Sequence, residues 1–223
     1  MKLRAVAPGV GLLPLYANIY LLSTPQGRVL FDTGTINHAP TFVRLLRAFD
    51  PQAVVISHSH IDHAGSAFLA ARLGYPVLAH PLEHERLLGL DHQLPYPAGK
   101  PALGRAVSRL HPRVGAGQLG TLHPGEEVGG WEVVHLPGHT DGQIGLRRGG
   151  VLLAADAVLS RGGQAHLPRQ AYNWNHRTAL QTLKGLAELD LDTVLPGHGE
   201  PITAAQLRAR AVRDDPPEAP QAG

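Results

Sequence analysis

The chain contains no cysteine. Disulfides, thiolate nucleophiles and cysteine-ligated metal centres are therefore excluded together, and any metal must rest on histidine and carboxylate groups. No stretch approaches the roughly 18 consecutive apolar residues that span a membrane. The basic start, Met1 to Arg4, is interrupted by Pro8, Gly9, Gly11 and Pro14 before a signal-peptide core could form, so the expectation is a cytoplasmic protein without a membrane partner. Net charge is nearly absent as well. The 20 Lys and Arg set against 18 Asp and Glu leave +2, too little to point to nucleic acid as the main partner.

What is present is ample apolar material, 43% of 223 residues, which suffices for a well-buried core. One domain over residues 1–213 is expected, followed by a Pro-rich disordered tail over 214–223. Apolar runs at Ile19 to Leu22 and Arg28 to Phe31 flank Pro25 to Gly27 and read as a hairpin leading into Asp32-Thr33-Gly34. Helical spacing runs from Ala39 to Phe49 and stops at Asp50-Pro51. A short buried strand, Ala53 to Ile56, opens directly into Ser57-His58-Ser59-His60-Ile61-Asp62-His63. A helix over Ala64 to Leu73, a strand over Pro76 to Ala79 and a helical turn or two over Glu83 to Leu88 continue the alternation. Between Gly89 and Gly120 the pattern gives way to Pro, Gly and His, which suggests a lid or substrate-contacting segment. Arg105, Arg109 and Arg113 there fit either a basic rim or ordinary helical surface charge. Strands at Trp131 to Leu136, Gln143 to Arg147, Val151 to Ala154 and Asp192 to Leu195 follow, with an amphipathic helix over His176 to Leu189.

Fourteen histidines are the compositional oddity. A His-x-His pair on extended backbone presents both imidazoles to one side, because side chains alternate with period two. His58 and His60 can thus grip one ion together, and Asp62 and His63 follow where a helix begins, near the positive end of its dipole. His139, Asp156 and His198 each stand just after an apolar strand, two of them behind Pro-Gly. Taken singly, each could be a turn residue or a helix cap. Behind a cluster of four ligating groups in six residues, they form a pattern.

His58-Ser59-His60-Ile61-Asp62-His63, Pro137-Gly138-His139, Ala155-Asp156 and Pro196-Gly197-His198 resemble the ligand motifs of the metallo-β-lactamase superfamily, over about residues 16–201. The resemblance implies an α+β fold, a four-layer αββα sandwich with the site along the edge where the loops of two sheets meet. It implies a first metal on His58, His60 and His139, a second on Asp62, His63 and His198, and Asp156 bridging both. Asp32 resembles the family's buried acid, which supports the metal loops by hydrogen bonding. Two positions depart from the pattern: Ser57 stands where Thr is commoner, and Ala155 where Gly usually precedes the bridging Asp.

Two divalent ions bring four positive charges; Asp62, Asp156 and a shared hydroxide neutralise three, leaving a site that stabilises an oxyanion. The expected activity is hydrolysis of a small-molecule thioester, lactone or other ester by a metal-bridging hydroxide, with Asp62 orienting it. Histidine and carboxylate donors suit zinc best, with iron or manganese as alternatives. The competing readings are iron-dependent oxygen or persulfide chemistry on the same ligands, and phosphodiester hydrolysis. A homo-oligomer is compatible with the sequence. Tyr172 and Asn173 are candidate substrate contacts from the loop after Asp156, while Asn175 reads equally well as the cap of the helix at His176.

Overall fold

The computed structural model describes residues 3–91, 109 and 112–213. A seven-stranded sheet contains β1 (Arg4–Ala7), β2 (Val10–Leu13), β3 (Ile19–Thr24), β4 (Gly27–Phe31), β5 (Ala53–Val55), β6 (Val77–Ala79) and β7 (Leu119–Thr121), neighbours in that order. A second sheet begins with β8 (Glu127–Val128), β9 (Trp131–His135), β10 (Ile144–Arg148) and β11 (Val151–Ala155). After a separate hairpin of β12 (Leu159–Arg161) and β13 (Gln164–His166), β14 (Thr193–Pro196) and β15 (Ile202–Thr203) complete it in the order β15-β14-β11-β10-β9-β8. The helices are α1 (Ala39–Phe49), α2 (Ile61–Ala64), α3 (Ala67–Arg72), α4 (Pro81–Leu87), α5 (His176–Glu188) and α6 (Ala204–Ala211).

Side-chain alternation explains the layering. Tyr20, Leu22, Val29, Phe31 and Val55 point to one face of the first sheet and meet Val133, Leu146, Leu153 and Leu195 of the second. Their in-between neighbours Leu21, Leu30 and Val54 point the other way, under Phe42, Leu45 and Leu46 of α1 and Ala67 and Ala70 of α3. In the second sheet Leu152, Ala154 and Val194 face outward onto Leu183 and Leu186 of α5 and Leu207 of α6. Three cores thus separate four layers, helix, sheet, sheet and helix: the αββα sandwich. The strands are apolar on both faces because both faces are covered. Each fully buried Leu or Phe contributes about 1.5–3 kcal/mol of transfer free energy.

Local signals behave as their chemistry requires. Asp50 ends α1 in a left-handed conformation (φ 41°), and its N–H reaches Leu46 O. Asn175 caps α5 by accepting from Thr178 N at 3.0 Å. The helix expected over Ala64 to Leu73 is α3, which starts later, at Ala67, behind the separate short helix α2. Ser66 N bonds Thr33 Oγ1 at 3.1 Å rather than a carbonyl of the preceding turn, so α2 stops and α3 restarts. The N-terminal strands β1 and β2, the short strands β7 and β8, the β12–β13 hairpin and α6 are additions to the sequence reading. α6 carried a legible start, since Thr203 and Gln206 form a reciprocal capping box.

Most of the segment read as a lid over 89–120 lies outside the described residues, as does the tail 214–223. Of its described part, Val114 is buried in the core beneath the first sheet and Leu119 to Thr121 pair with β6. No helix among the described residues is long and apolar enough to cross a membrane.

Topology brings the site together. β4 and β5 run parallel, as do β11 and β14, and β9 shares their direction because β10 lies antiparallel to both β9 and β11. Asp32 follows β4, His58 follows β5, His139 follows β9, Asp156 follows β11 and His198 follows β14. The loops that carry chemistry therefore leave their strands at matching ends.

Candidate metal centre

His58, His60 and His139 come together with one potential ligand atom from each within 4.8 Å of the others. Asp62, His63 and His198 form a second such group, and His58, His63 and Asp156 a third that overlaps both. The first three rings lie edge to face, with centroids 4.4–5.0 Å apart. Asp156 stands between the groups. Its Oδ1 lies 3.2 Å from His63 Nε2, and its Oδ2 lies 3.4 Å from both His139 Nε2 and His198 Nε2. Asp62 Oδ2 is 3.2 Å from His198 Nε2.

Hydrogen bonds behind the rings set which nitrogen faces inward. Ser57 Oγ donates to Asp32 Oδ2 (2.9 Å), so it accepts from His58 Nδ1 (3.0 Å). His63 Nδ1 donates to Asp32 Oδ2 at 2.8 Å. His139 Nδ1 donates to Asn173 Oδ1 at 3.1 Å, and His198 Nδ1 donates to the Tyr16 carbonyl. All four rings spend the Nδ1 proton outward and turn Nε2 toward the centre, the arrangement by which oxygen partners select tautomer and orientation for a metal. His58 Nε2 and His139 Nε2 are buried without a hydrogen-bond partner. Buried polar atoms are rarely left so.

Burial, reinforced by the neighbouring histidines, pushes His58 and His60 well below the ordinary imidazole range; burial likewise lowers His139. These three are neutral, the form that ligates. For His63 and His198 burial works downward, but the adjacent carboxylates, Asp156 foremost, reverse it and carry His198 to about 10. For Asp62 burial works upward, yet His63 and His198 hold the carboxyl down at about 2. Asp156 is depressed too, against its burial, by His198 and His63. Protons on histidine thus balance the carboxylates where a cation would. His63 Nε2 and His198 Nε2 are only 3.3 Å apart, so two protonated rings facing each other there would repel. A metal ion relieves that conflict, and the residues fit one.

Local backbone explains how these side chains arrive. Asp156 follows Ala155, whose φ of 44° is left-handed and which sits at a register shift between β11 and β14. That conformation costs a non-glycine residue about 1–2 kcal/mol, and it accounts for the Gly that the resemblance places there. The two Pro-Gly-His corners need glycine for closeness. A Cβ on Gly197 would lie 2.0 Å from Asp156 Oδ1, and one on Gly138 would lie 2.3 Å from the backbone of Ala179. The His198 loop is also tied to the first sheet, through Asn18 Nδ2 to Gly199 O at 2.8 Å and Tyr20 Oη to Pro196 O at 2.7 Å.

Several contributors were not singled out in the sequence. Glu83 on α4 is fully buried and accepts from Ser59 N (2.9 Å), Thr140 Oγ1 and Gly142 N (3.2 Å), joining the His58-x-His60 loop to the His139 loop. It does for the first group what Asp32 does for His58 and His63. Its only sequence signal is an acid in the first turn of a short helix, indistinguishable from a surface residue. A cavity of about 720 Å³ opens over Asp62, Asp156 and His198, and Tyr16, Arg161, Arg169 and Tyr172 line it. Tyr172 therefore lies where a substrate contact would. Asn173 lies behind His139 and passes a second hydrogen bond to His176 Nδ1 at 2.8 Å.

The family model for the metallo-beta-lactamase superfamily matches residues 12–198. This chain belongs to that superfamily. Among curated members it is 30% identical to the probable metallo-hydrolase YflN of Bacillus subtilis (strain 168), over 91% of this chain and 88% of that protein. Among solved members it is similar to TTHA1623, crystallised in a di-iron-bound form, at 27% identity and TM-score 0.68, covering 95% of this chain and 98% of that one. It is similar also to the metallo-beta-lactamase family protein TTHA1429 of Thermus thermophilus, at 27% identity and TM-score 0.68, covering 93% and 78%. Membership in the superfamily agrees with the sandwich and with a His and Asp cluster suited to divalent metal.

Proposed function

We propose that this chain is a binuclear metallo-hydrolase acting on a thioester, lactone or other ester of a small molecule. The observation that carries the reading is the position of Asp156, whose two oxygens face histidines of both groups. In this reading His58, His60 and His139 hold one ion, Asp62, His63 and His198 hold the other, and Asp156 bridges them. When bound, the two ions supply a nucleophile from water at neutral pH and the positive charge that a developing oxyanion needs. Asp62, ionised and lining the cavity, orients the attacking water. Asp32 and Asn173 hold rings in place; Asn173 is thus better assigned to positioning His139 than to touching substrate. Tyr172 remains the substrate contact.

The donor set favours zinc. The di-iron form of TTHA1623 keeps iron in view, and with it redox chemistry on the same ligands. Protein purified without added metal, analysed for metal and assayed on thioesters and lactones, separates the two. About two zinc ions with turnover supports the hydrolase; iron with no hydrolysis moves the redox reading ahead.

Two further results are expected. Loading metal near pH 7.5 must displace protons from His198 and His63, whose metal-free pKa values are raised. Affinity therefore falls as pH falls, and calorimetry in buffers of different ionisation enthalpy should read at least one proton released per chain; buffer-independent heats would contradict it. Asn173→Ala removes the Nδ1 partner of His139, and metal affinity should drop about 10–100-fold, the cost usual for losing such support. Competition with a chromophoric chelator measures it, and unchanged affinity would return Asn173 to the substrate side.

A further inference from the structure

Arg161 and Arg169 both line the cavity that opens over Asp62, Asp156 and His198. Arg161 ends β12, the first arm of the hairpin that follows Asp156, and Arg169 begins the turn leading to Tyr172. Both are exposed, and neither has an ion pair or side-chain hydrogen bond among the described residues. Three other arginines are occupied: Arg86 pairs with Asp141 at 2.6 Å, Arg4 pairs with Glu200, and Arg148 lies over the Trp131 ring at 4.4 Å. Two guanidinium groups thus line the cavity unpaired, beside a group of histidines and carboxylates whose charges are spent on one another. Arginine is also the side chain whose planar fork matches a carboxylate or phosphate in two parallel hydrogen bonds. Tyr16, with its ring 5.3 Å from that of His198, and Tyr172 line the same cavity.

We infer that the substrate is an anionic small molecule, with its scissile ester or thioester at the metal groups and a carboxylate or phosphate group further along held by Arg161 and Arg169. The inference rests on the hydrolase reading for the bond that is cut, but not for the charge that is held. The reaction is hydrolysis: water adds to the acyl carbon, the bond to the thiol or alcohol breaks, and the leaving group takes a proton, so no further reactant is needed.

The test uses metal-loaded full chain and three thioesters of N-acetylcysteamine: glutaryl, its neutral methyl ester, and the analogue with a phosphonate in place of the distal carboxylate. Each is also made as the corresponding amide for equilibrium binding. The charged thioesters should exceed the neutral one in kcat/KM by about tenfold or more, as a charge-assisted pair implies. The better of the two identifies carboxylate or phosphate as the held group. In the double variant Arg161→Gln, Arg169→Gln, the ratio of charged to neutral should collapse toward one, and in the wild type it should shrink with added salt. Equal handling of charged and neutral members in both turnover and amide binding overturns the inference and leaves the hydrolase reading standing. Selective amide binding that the double variant loses, with no thioester or lactone hydrolysed, supports the inference and overturns that reading.

Discussion

Asp156→Asn should weaken both metal positions together and lower hydrolysis by about 10³-fold or more, since losing a single preorganised group from an intact site already costs about 10²–10³-fold. The Asp156 side chain is 7% exposed, and its two oxygens are divided between His63 on one side and His139 and His198 on the other. An amide of the same shape offers one weaker acceptor and one NH2 group, which would point at an ion or at an inward Nε2. Metal analysis after dialysis should fall from two ions per chain to below one. If only one ion were lost, Asp156 would belong to a single position and the bridging assignment would be wrong. Asp62→Asn gives the contrast: it should weaken the Asp62, His63 and His198 position alone.

Glu83→Ala carries the largest expected effect on stability. Removing this buried carboxylate strands the N–H groups of Ser59 and Gly142 and the Thr140 hydroxyl, and leaves Arg86 with Asp141 and Asp91 only. Breaking a buried charged network of this kind costs about 3–5 kcal/mol. For a chain of this size that is a fall of about 10 °C in Tm. Metal loss should be selective, because Glu83 ties together the loops bearing His58, His60 and His139, while its polar partners are Ser59, Thr140, Gly142 and Arg86 rather than Asp62, His63 or His198. Glu83→Gln keeps one acceptor and should lie between the two. Thermal melts of metal-free and metal-loaded protein, read beside metal content, check this. A variant that unfolds at the wild-type temperature, or that sheds both ions equally, would contradict it.

Much of this was legible in the sequence, for identifiable reasons. Strands buried on both faces read as short apolar runs bounded by turn residues, and Ile19 to Phe31, Val151 to Ala154 and Thr193 to Leu195 carry that signal strongly. α1 and α5 advertise themselves by helical spacing together with Asp50-Pro51 and Asn175. The seven side chains that converge are visible because His and Asp crowd into residues 58–63 and recur just after strands. β1, β2, β7 and β8 were not legible: they are short edge or near-edge strands whose pairing comes from tertiary contact rather than local pattern. Glu83 was hidden for a similar reason, since nothing in Pro81 to Leu87 says that its third residue is buried between two loops. Arg161 and Arg169 gain meaning only from the cavity they share, and Asn173 only from the ring it supports.

The most direct test of the central claim is stepwise addition of metal to metal-free protein, with hydrolysis of a thioester and lactone panel measured at each step. Activity that rises to a plateau at two equivalents per chain, with zinc or with iron, is the predicted result. Full activity at one equivalent, or two bound ions with no hydrolysis of any member, would contradict a binuclear hydrolase built on Asp156.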